Sequence, residues 1–291
     1  MKTILYPTDF SESANNALLI AIDISVKLSA KLEVLHVHTP QVIVGAMPSE
    51  MSILETQVSD KILDKIKHLK EKLSTIPKLK FEIIIEKGYL NDLLVQKGDL
   101  VQDLLIVMGT EGAPTPLHKW FGTNTSRIID SKKVPVLTVP KDCEQTLTPN
   151  GEVVLASDFK EINDWDIYLP FKQLATAYNL KINVLLVKEP YQDEDIKKAQ
   201  KAYFEDLKSY FDGITLELHH SYKENVVSAI TDFARRKKAK LIVSVSHDRN
   251  WLESLFHSSV SKELAFNQYV PILTLPDTHV DLNITSPTNY W

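Results

Sequence analysis

Short runs of apolar and β-branched residues alternate along the chain with longer stretches in which apolar positions recur every three to four residues. The runs at 3–6, 32–37, 81–86, 104–108 and 135–139 predict strands, and the segments 12–29, 52–74, 90–99 and 123–131 predict helices. Strand, helix, strand in this rhythm implies parallel strands joined by right-handed crossovers, with helices on both faces of the sheet. The pattern then begins again.

The repeat has a period of about 150 residues and constrains both halves at once. The segment 4-ILYPTDF-10 returns as 153-VVLASDF-159, 32-LEVLHVHTP-40 as 182-INVLLVKEP-190, and 134-VPVLTVP-140 as 270-VPILTLP-276. Between them, 105-LIVMGTEGAPTPLHKWFGTNTSRII-129 is answered by 241-LIVSVSHDRNWLESLFHSSVSKEL-264, with Phe256 matching Phe121. The matches keep their order, so the chain is a duplicated domain. The expected fold class is α/β, two tandem doubly wound parallel sheets of five strands each. The first domain spans 1–141, a polar linker 142–150, the second domain 151–277 and a non-periodic tail 278–291. The segment 41–60 after the second strand reads as a loop, with a lid or partner surface as the alternative.

Composition narrows the function. With 44% hydrophobic and 24% charged residues the chain is globular in type, and a net charge of -5 speaks against a nucleic-acid surface. A single cysteine, Cys143, cannot form an intrachain disulfide, and no Cys/His spacing resembles a zinc site. No run approaches the ~18 apolar residues of a membrane span, and the N-terminus lacks a signal-peptide core. A cytoplasmic protein is expected, without membrane or nucleic-acid partners.

Glycine is scarce, yet three of the eight glycines, Gly109, Gly112 and Gly122, fall between residues 109 and 122. Ligands of open parallel sheets sit outside the carboxyl ends of the strands, where strand order reverses. Pro7, Thr8 and Asp9 follow the first strand, and Gly109 follows Met108 at the end of the fourth. Glycines there allow close approach of a ligand or a positive φ. Gly122, Thr123, Asn124 and Thr125 open a helix whose free N–H groups and dipole favour a phosphate. Asp9 is placed to accept from ribose hydroxyls. Each piece also has a plain structural reading: a turn glycine, a Thr N-cap, or an Asp9 that only caps the first helix, a task Ser11 could equally perform.

The pattern Gly-x2-Gly-x9-Gly-[Ser/Thr] at Gly109, Gly112, Gly122 and Thr123, with Pro7-Thr8-Asp9 and Leu-His-Val at 35–37, resembles the ATP-binding type of universal stress protein, and both repeats share the likeness. The resemblance implies strand order 3-2-1-4-5 in a Rossmann-like domain of the adenine nucleotide alpha hydrolase type, the two domains being related by a pseudo-twofold. It implies ATP as ligand, with or without Mg²⁺, and ADP or AMP as alternatives. By the same resemblance, Asp9 contacts ribose, Val37 holds adenine through its backbone, and Gly109, Gly112, Gly122, Thr123 and Thr125 surround the phosphates. Pro7, Thr8, Met108 and Asn124 complete the site. The last strands, 134–139 and 270–275, are expected to pair internally, and a homodimer is a further arrangement open to the chain.

The second half departs from this pattern. Asp158 and Val187 survive, but His257 replaces Gly122, Val245 or Ser244 replaces Gly109, and no glycine lies at 244–260. Ser258, Ser259 and Ser261 still cap a helix. The second half is therefore expected not to bind ATP in the family manner. Glu111, between two phosphate-loop glycines, is expected to face solvent. The leading function is a nucleotide-binding stress-response regulatory module. A slow ATPase drawing on His118 and Lys119, or a scaffold with a vestigial site, are the alternatives; no Walker motif or nucleophile elbow occurs.

Overall fold

The computed structural model describes residues 1–39, 60–110, 123–131, 133–141, 143, 147–157, 159, 164–187, 194–222, 225–245 and 270–276. Ten strands are present: β1 (Thr3–Pro7), β2 (Lys31–His38), β3 (Lys80–Lys87), β4 (Leu104–Thr110), β5 (Val136–Pro140), β6 (Glu152–Ser157), β7 (Lys181–Val187), β8 (Leu216–Ser221), β9 (Leu241–Val245) and β10 (Ile272–Leu275). They form one sheet in the order β3-β2-β1-β4-β5-β10-β9-β6-β7-β8. All neighbours run parallel except β5 and β10. The first half thus has the order 3-2-1-4-5, and the second repeats it from the opposite edge.

Among the described residues seven α-helices cover the sheet: α1 (Glu12–Leu28), α2 (Asp60–Ser74), α3 (Leu90–Leu100), α4 (Thr123–Asp130), α5 (Leu169–Tyr178), α6 (Glu194–Tyr210) and α7 (Val226–Lys237). Alternation along the strands sorts their side chains. Ile4, Tyr6, Leu32, Val34, Leu105 and Val107 face α1 and α2, in a core that continues through Leu137 and Leu273 to α5 and α6. Leu5, Leu35, Ile106 and Met108 face α3 and α4, while Val154, Leu185 and Ile242 face α7. Strands buried on both faces explain the near-continuous apolar runs in the sequence.

The seam between the halves is antiparallel, with Leu273 opposite Leu137 and the Thr138 hydroxyl donating to the Ile272 carbonyl at 3.1 Å. Beside it α1 meets α5. The Tyr178 phenol donates to the Asp23 carboxylate at 2.7 Å, and Lys27 Nζ lies 5.6 Å from the Tyr178 ring centroid. Burial, with the Asp23 bond and charge, pushes the Tyr178 phenol well above the usual tyrosine range. The Met1 amino group donates to the Gln173 side-chain carbonyl.

The segment read as a polar linker contributes to the core, since Cys143 and Leu147 are buried in the shared cluster. Asn16 Nδ2 donates to the Cys143 carbonyl at 3.1 Å, and the Asn150 N–H to the Tyr178 carbonyl at 2.9 Å. The predicted tail 278–291 and the segment 41–60, apart from Asp60, lie outside the described residues.

With glycine so scarce, helices end on other residues in the left-handed conformation. Ser29 (φ 54) closes α1, Asn179 (φ 49) closes α5 and Lys238 (φ 51) closes α7, each donating its N–H back to the last helical carbonyls. A lysine pays steric strain there that a glycine would not, roughly 1–2 kcal/mol. Lys238→Gly should therefore raise stability by about 1 kcal/mol, read as a higher urea midpoint at unchanged slope; a lower midpoint would contradict this account of the cap.

Candidate functional site

In the first half the chain leaves β1 to one side for β2 and to the other for β4, so the strand order reverses beside the carboxyl end of β1. Pro7, Thr8, Asp9, Val37, Met108 and Gly109 all lie at these strand ends. Thr8 is buried, and its N–H makes the last β1–β2 bond, to the Leu35 carbonyl at 2.8 Å. Beyond it the chain turns sharply.

That turn is built by side chains. Thr8 Oγ1 accepts from the Phe10 N–H at 3.0 Å and is hydrogen-bonded with the Tyr6 phenol oxygen at 3.1 Å. The Thr8 carbonyl accepts from His36 Nδ1 at 2.8 Å, which fixes the imidazole proton on that nitrogen. Phe10 takes φ 64, rare for a bulky residue. Its ring lies 5.3 Å from that of His36 and 5.5 Å from Lys65 Nζ. Asp9, at the tip, is exposed, and its Oδ1 accepts from the Ser11 N–H at 2.9 Å. Ser11 caps α1, accepting from the Ala14 N–H at 3.3 Å. Ser11 is thus the N-cap of α1, and Asp9 Oδ1 takes up the Ser11 N–H just ahead of it.

Val37 follows on β2. In a parallel ladder both backbone groups of a residue point to the same neighbouring strand, alternating along the chain. Leu35 bonds toward β1 and His38 toward β3, where its carbonyl accepts from the Gly88 N–H at 3.2 Å. The Val37 N–H and C=O therefore point to the β1 side, past the last β1–β2 bond. Among the described residues they leave a donor and an acceptor on the open edge of the strand.

Gly109 has a role the sequence reading did not give it. A Cβ built on it would stand 2.2 Å from the Ser13 carbonyl oxygen and 2.7 Å from the Ala14 nitrogen. The missing side chain admits the first turn of α1, so its first duty is helix against strand. The same helix turn is held from two other sides. The Tyr6 phenol donates to the Ala14 carbonyl at 2.8 Å, and Asn16 Nδ2 to the Lys141 carbonyl at 2.6 Å. Burial holds the Tyr6 phenol up at about 12, so it remains a neutral donor.

The helix α4 returns antiparallel to β4, which sets its N-terminus at the carboxyl edge of the sheet, beside the same strand ends. Thr125 is buried there. The backbones of Thr123 and Asn124 open the helix, but their side chains lie outside the described set, as do Glu111, Gly112, His118, Lys119 and Gly122. Among the described residues no group of three or more His, Cys, Asp or Glu side chains could hold a metal ion.

With this geometry, residues 1–140 match the family model described as the universal stress protein family. The N-terminal half of the chain belongs to that family. The universal stress protein from Archaeoglobus fulgidus DSM 4304 superposes on 94% of this chain and 98% of its own, with TM-score 0.65 and 17% identity. A functionally unknown protein from Pseudomonas aeruginosa PAO1 covers 95% of this chain and 93% of its own, with TM-score 0.55 and 13% identity. At such identities the likeness is one of fold. No curated protein matches the chain.

The second half repeats the universal stress protein fold with altered strand ends. The β4–β5 register sets Gly109 opposite Val139, and the β9–β10 register sets Val245 opposite Leu275. Val245 is thus the counterpart of Gly109, settling the choice between Val245 and Ser244. It is buried, and among the described residues a helical turn at Trp165–Tyr168 leads into α5. Tyr168 and Phe171 stand on that side of the sheet, where α1 carries Ala14, Ala17 and Ala21. The fold keeps its strand order with Val245 at this strand end, so the loss of the glycine in one repeat does not by itself assign Gly109 to a ligand. Val187 is half-buried at the end of β7; Asp158, His257, Ser258, Ser259 and Ser261 lie outside the described residues.

Tyr6 and His36 were missed as site residues. The signal was available in the repeats, since 4-ILYPTDF-10 and 35-LHV-37 carry a phenol and an imidazole where 153-VVLASDF-159 and 185-LLV-187 carry leucine.

A methyl at 109 meets backbone on the opposing helix, which cannot step aside as a flexible side chain would. Gly109→Ala should cost about 1–3 kcal/mol, measured by urea unfolding without ligand. A variant as stable as wild type would mean that the α1–β4 approach does not require the glycine.

Proposed function

We propose that the chain binds ATP, or a related adenine nucleotide, at the β1–β4 switch point of its N-terminal half and acts as a nucleotide-responsive module in a stress response. The observation that carries this reading is the convergence of three complementary groups at one strand edge: the exposed Asp9 carboxylate, the Val37 backbone pair, which meets no partner on β1 among the described residues, and the N-terminus of α4. A ribose offers hydroxyl donors to the first, an adenine edge matches a donor and acceptor pair, and phosphates suit a helix N-terminus. Membership of residues 1–140 in the universal stress protein family supports the same reading.

In this account Pro7, Thr8 and Met108 wall the site, and Gly112, Gly122, Thr123, Asn124 and Thr125 attend the phosphates, with Mg²⁺ as an accompanying ion. ADP and AMP are alternatives of the same chemistry. The second half, with Val245 at the strand end, takes no nucleotide in this manner and serves as the internal partner of the first across the β5–β10 seam. Functional units at 1–141 and 151–277, a cytoplasmic location and a further homodimer complete the proposal. Among the described residues no helix is long and apolar enough to cross a membrane.

Titration of the purified chain with ATP and Mg²⁺ should saturate at one nucleotide per chain. At 100 times Kd the ligand adds about 2.7 kcal/mol to folding stability. Asp9→Ala should weaken binding about tenfold, the scale of one charge-assisted hydrogen bond, and Gly122→Val should abolish it with the fold retained. No stabilisation of wild type, or an unaltered response in Gly122→Val, would overturn the assignment; multiple turnovers of phosphate release would make the site catalytic.

A further inference from the structure

A left-handed Phe follows the first strand of both halves, but the side chains that support it differ. In the first half the Phe10 N–H donates to Thr8 Oγ1 at 3.0 Å with φ 64, and in the second the Phe159 N–H donates to Ser157 Oγ at 3.1 Å with φ 56. The left-handed Phe and its hydroxyl partner are shared. What differs lies beneath them.

The β1–β2 register sets Ile4 opposite Leu32, and the β6–β7 register sets Val153 opposite Ile182. Counting along the strands makes Leu155 the counterpart of Tyr6 and Leu186 the counterpart of His36. Both leucines are buried, and the second turn forms upon them, with the Phe159 ring stacked instead on that of Tyr203 at 4.7 Å. The left-handed Phe therefore does not itself require a phenol or an imidazole at these two positions.

A buried phenol and imidazole are costly unless hydrogen-bonded, and a leucine of similar size is the cheaper occupant. Each polar group here finds its partner in the turn or in the helix behind it. His36 Nδ1 donates to the Thr8 carbonyl at 2.8 Å, while the Tyr6 phenol donates to the Ala14 carbonyl at 2.8 Å and its oxygen is hydrogen-bonded with the Thr8 hydroxyl at 3.1 Å. With the Phe10 N–H these bonds occupy both Thr8 oxygens. They tie β1, β2 and α1 to the one residue that precedes Asp9.

We propose that Tyr6 and His36 are positioning residues that lock the Thr8–Phe10 turn and so fix Asp9 in its ligand-binding orientation, a role absent from the second half. The inference rests on the nucleotide reading of the site. Strained turns persist where surrounding contacts over-determine them, and preorganising a carboxylate removes an ordering cost from binding. Neither side chain need touch the ligand.

The test substitutes the second half's own residue and then restores the donor. His36→Leu fits a site whose counterpart already holds leucine. His36→Asn returns an N–H at the same number of bonds from the backbone as Nδ1, whereas His36→Gln reaches one bond further. Amide exchange at Phe10 and Ser11 is followed in ligand-free chains, and ATP affinity in the same variants.

His36→Leu and His36→Gln should exchange at these two amides at least tenfold faster and bind ATP about tenfold more weakly, and His36→Asn should return both toward wild type. Tyr6→Leu should act in the same direction as His36→Leu. A packing role predicts the reverse order, with Leu tolerated and Asn harmful. Wild-type exchange and affinity in His36→Leu, or an Asn variant no better than Leu, would overturn the proposal. A wild-type chain that binds no ATP would remove the nucleotide reading, leaving the exchange comparison to decide whether the turn is locked.

Discussion

The close approach of the first turn of α1 to the end of β4 is the constraint on which the N-terminal site depends. It exists because Gly109 presents no Cβ where the Ser13 carbonyl and the Ala14 nitrogen lie. Once the helix sits there, the Tyr6 phenol reaches the Ala14 carbonyl, and Asn16 reaches the chain leaving β5. Ser11 can cap the helix while Asp9 stands at its mouth. Spread this contact by a methyl group and the strand end, the turn and the helix N-terminus lose their common reference. The site is thus a consequence of packing before it is a matter of ligand chemistry.

The duplicated half supplies a comparison within one molecule. It has the same strand order, the same left-handed Phe after its first strand and the same hydroxyl accepting that residue's N–H. Yet Val245 stands where Gly109 does, α5 carries Phe171 on the side where α1 carries Ala17 and Ala21, and leucines stand in for Tyr6 and His36. The two halves separate what the fold needs from what the first strand end adds. A left-handed turn and a capped helix belong to the fold; the tight helix approach and the polar buttress belong to the first half alone. Joined through an antiparallel seam and one continuous core, the second half nonetheless supports the first.

Much of this architecture was legible in the sequence, for physical reasons. Strands buried on both faces write themselves as runs such as 104-LLIVM-108, amphipathic helices as three-to-four periodicity, and duplication fixes both halves at once. The same rules could not assign Gly109, because a glycine admitting a ligand and one admitting a helix look alike until the opposing helix is in place. Val245 against Ser244 was equally a matter of register, decided only when β9 was paired with β10. Contacts such as Tyr178 with Asp23, or Asn16 with Cys143, join residues far apart in sequence and leave no periodic trace. Cys143 and Leu147 were taken for linker because their neighbours are polar, although both side chains are buried.

The central claim is that nucleotide binding belongs to one of two similar strand ends, and residue-by-residue mapping of backbone amide shifts on addition of ATP tests it most directly. The account predicts shifts concentrated at Thr8–Ser11, Val37, Met108–Thr110 and Thr123–Thr125, with Ser157, Phe159, Val187, Ser244 and Val245 unmoved. Equal shifts at both strand ends, or shifts confined to the second, would contradict it.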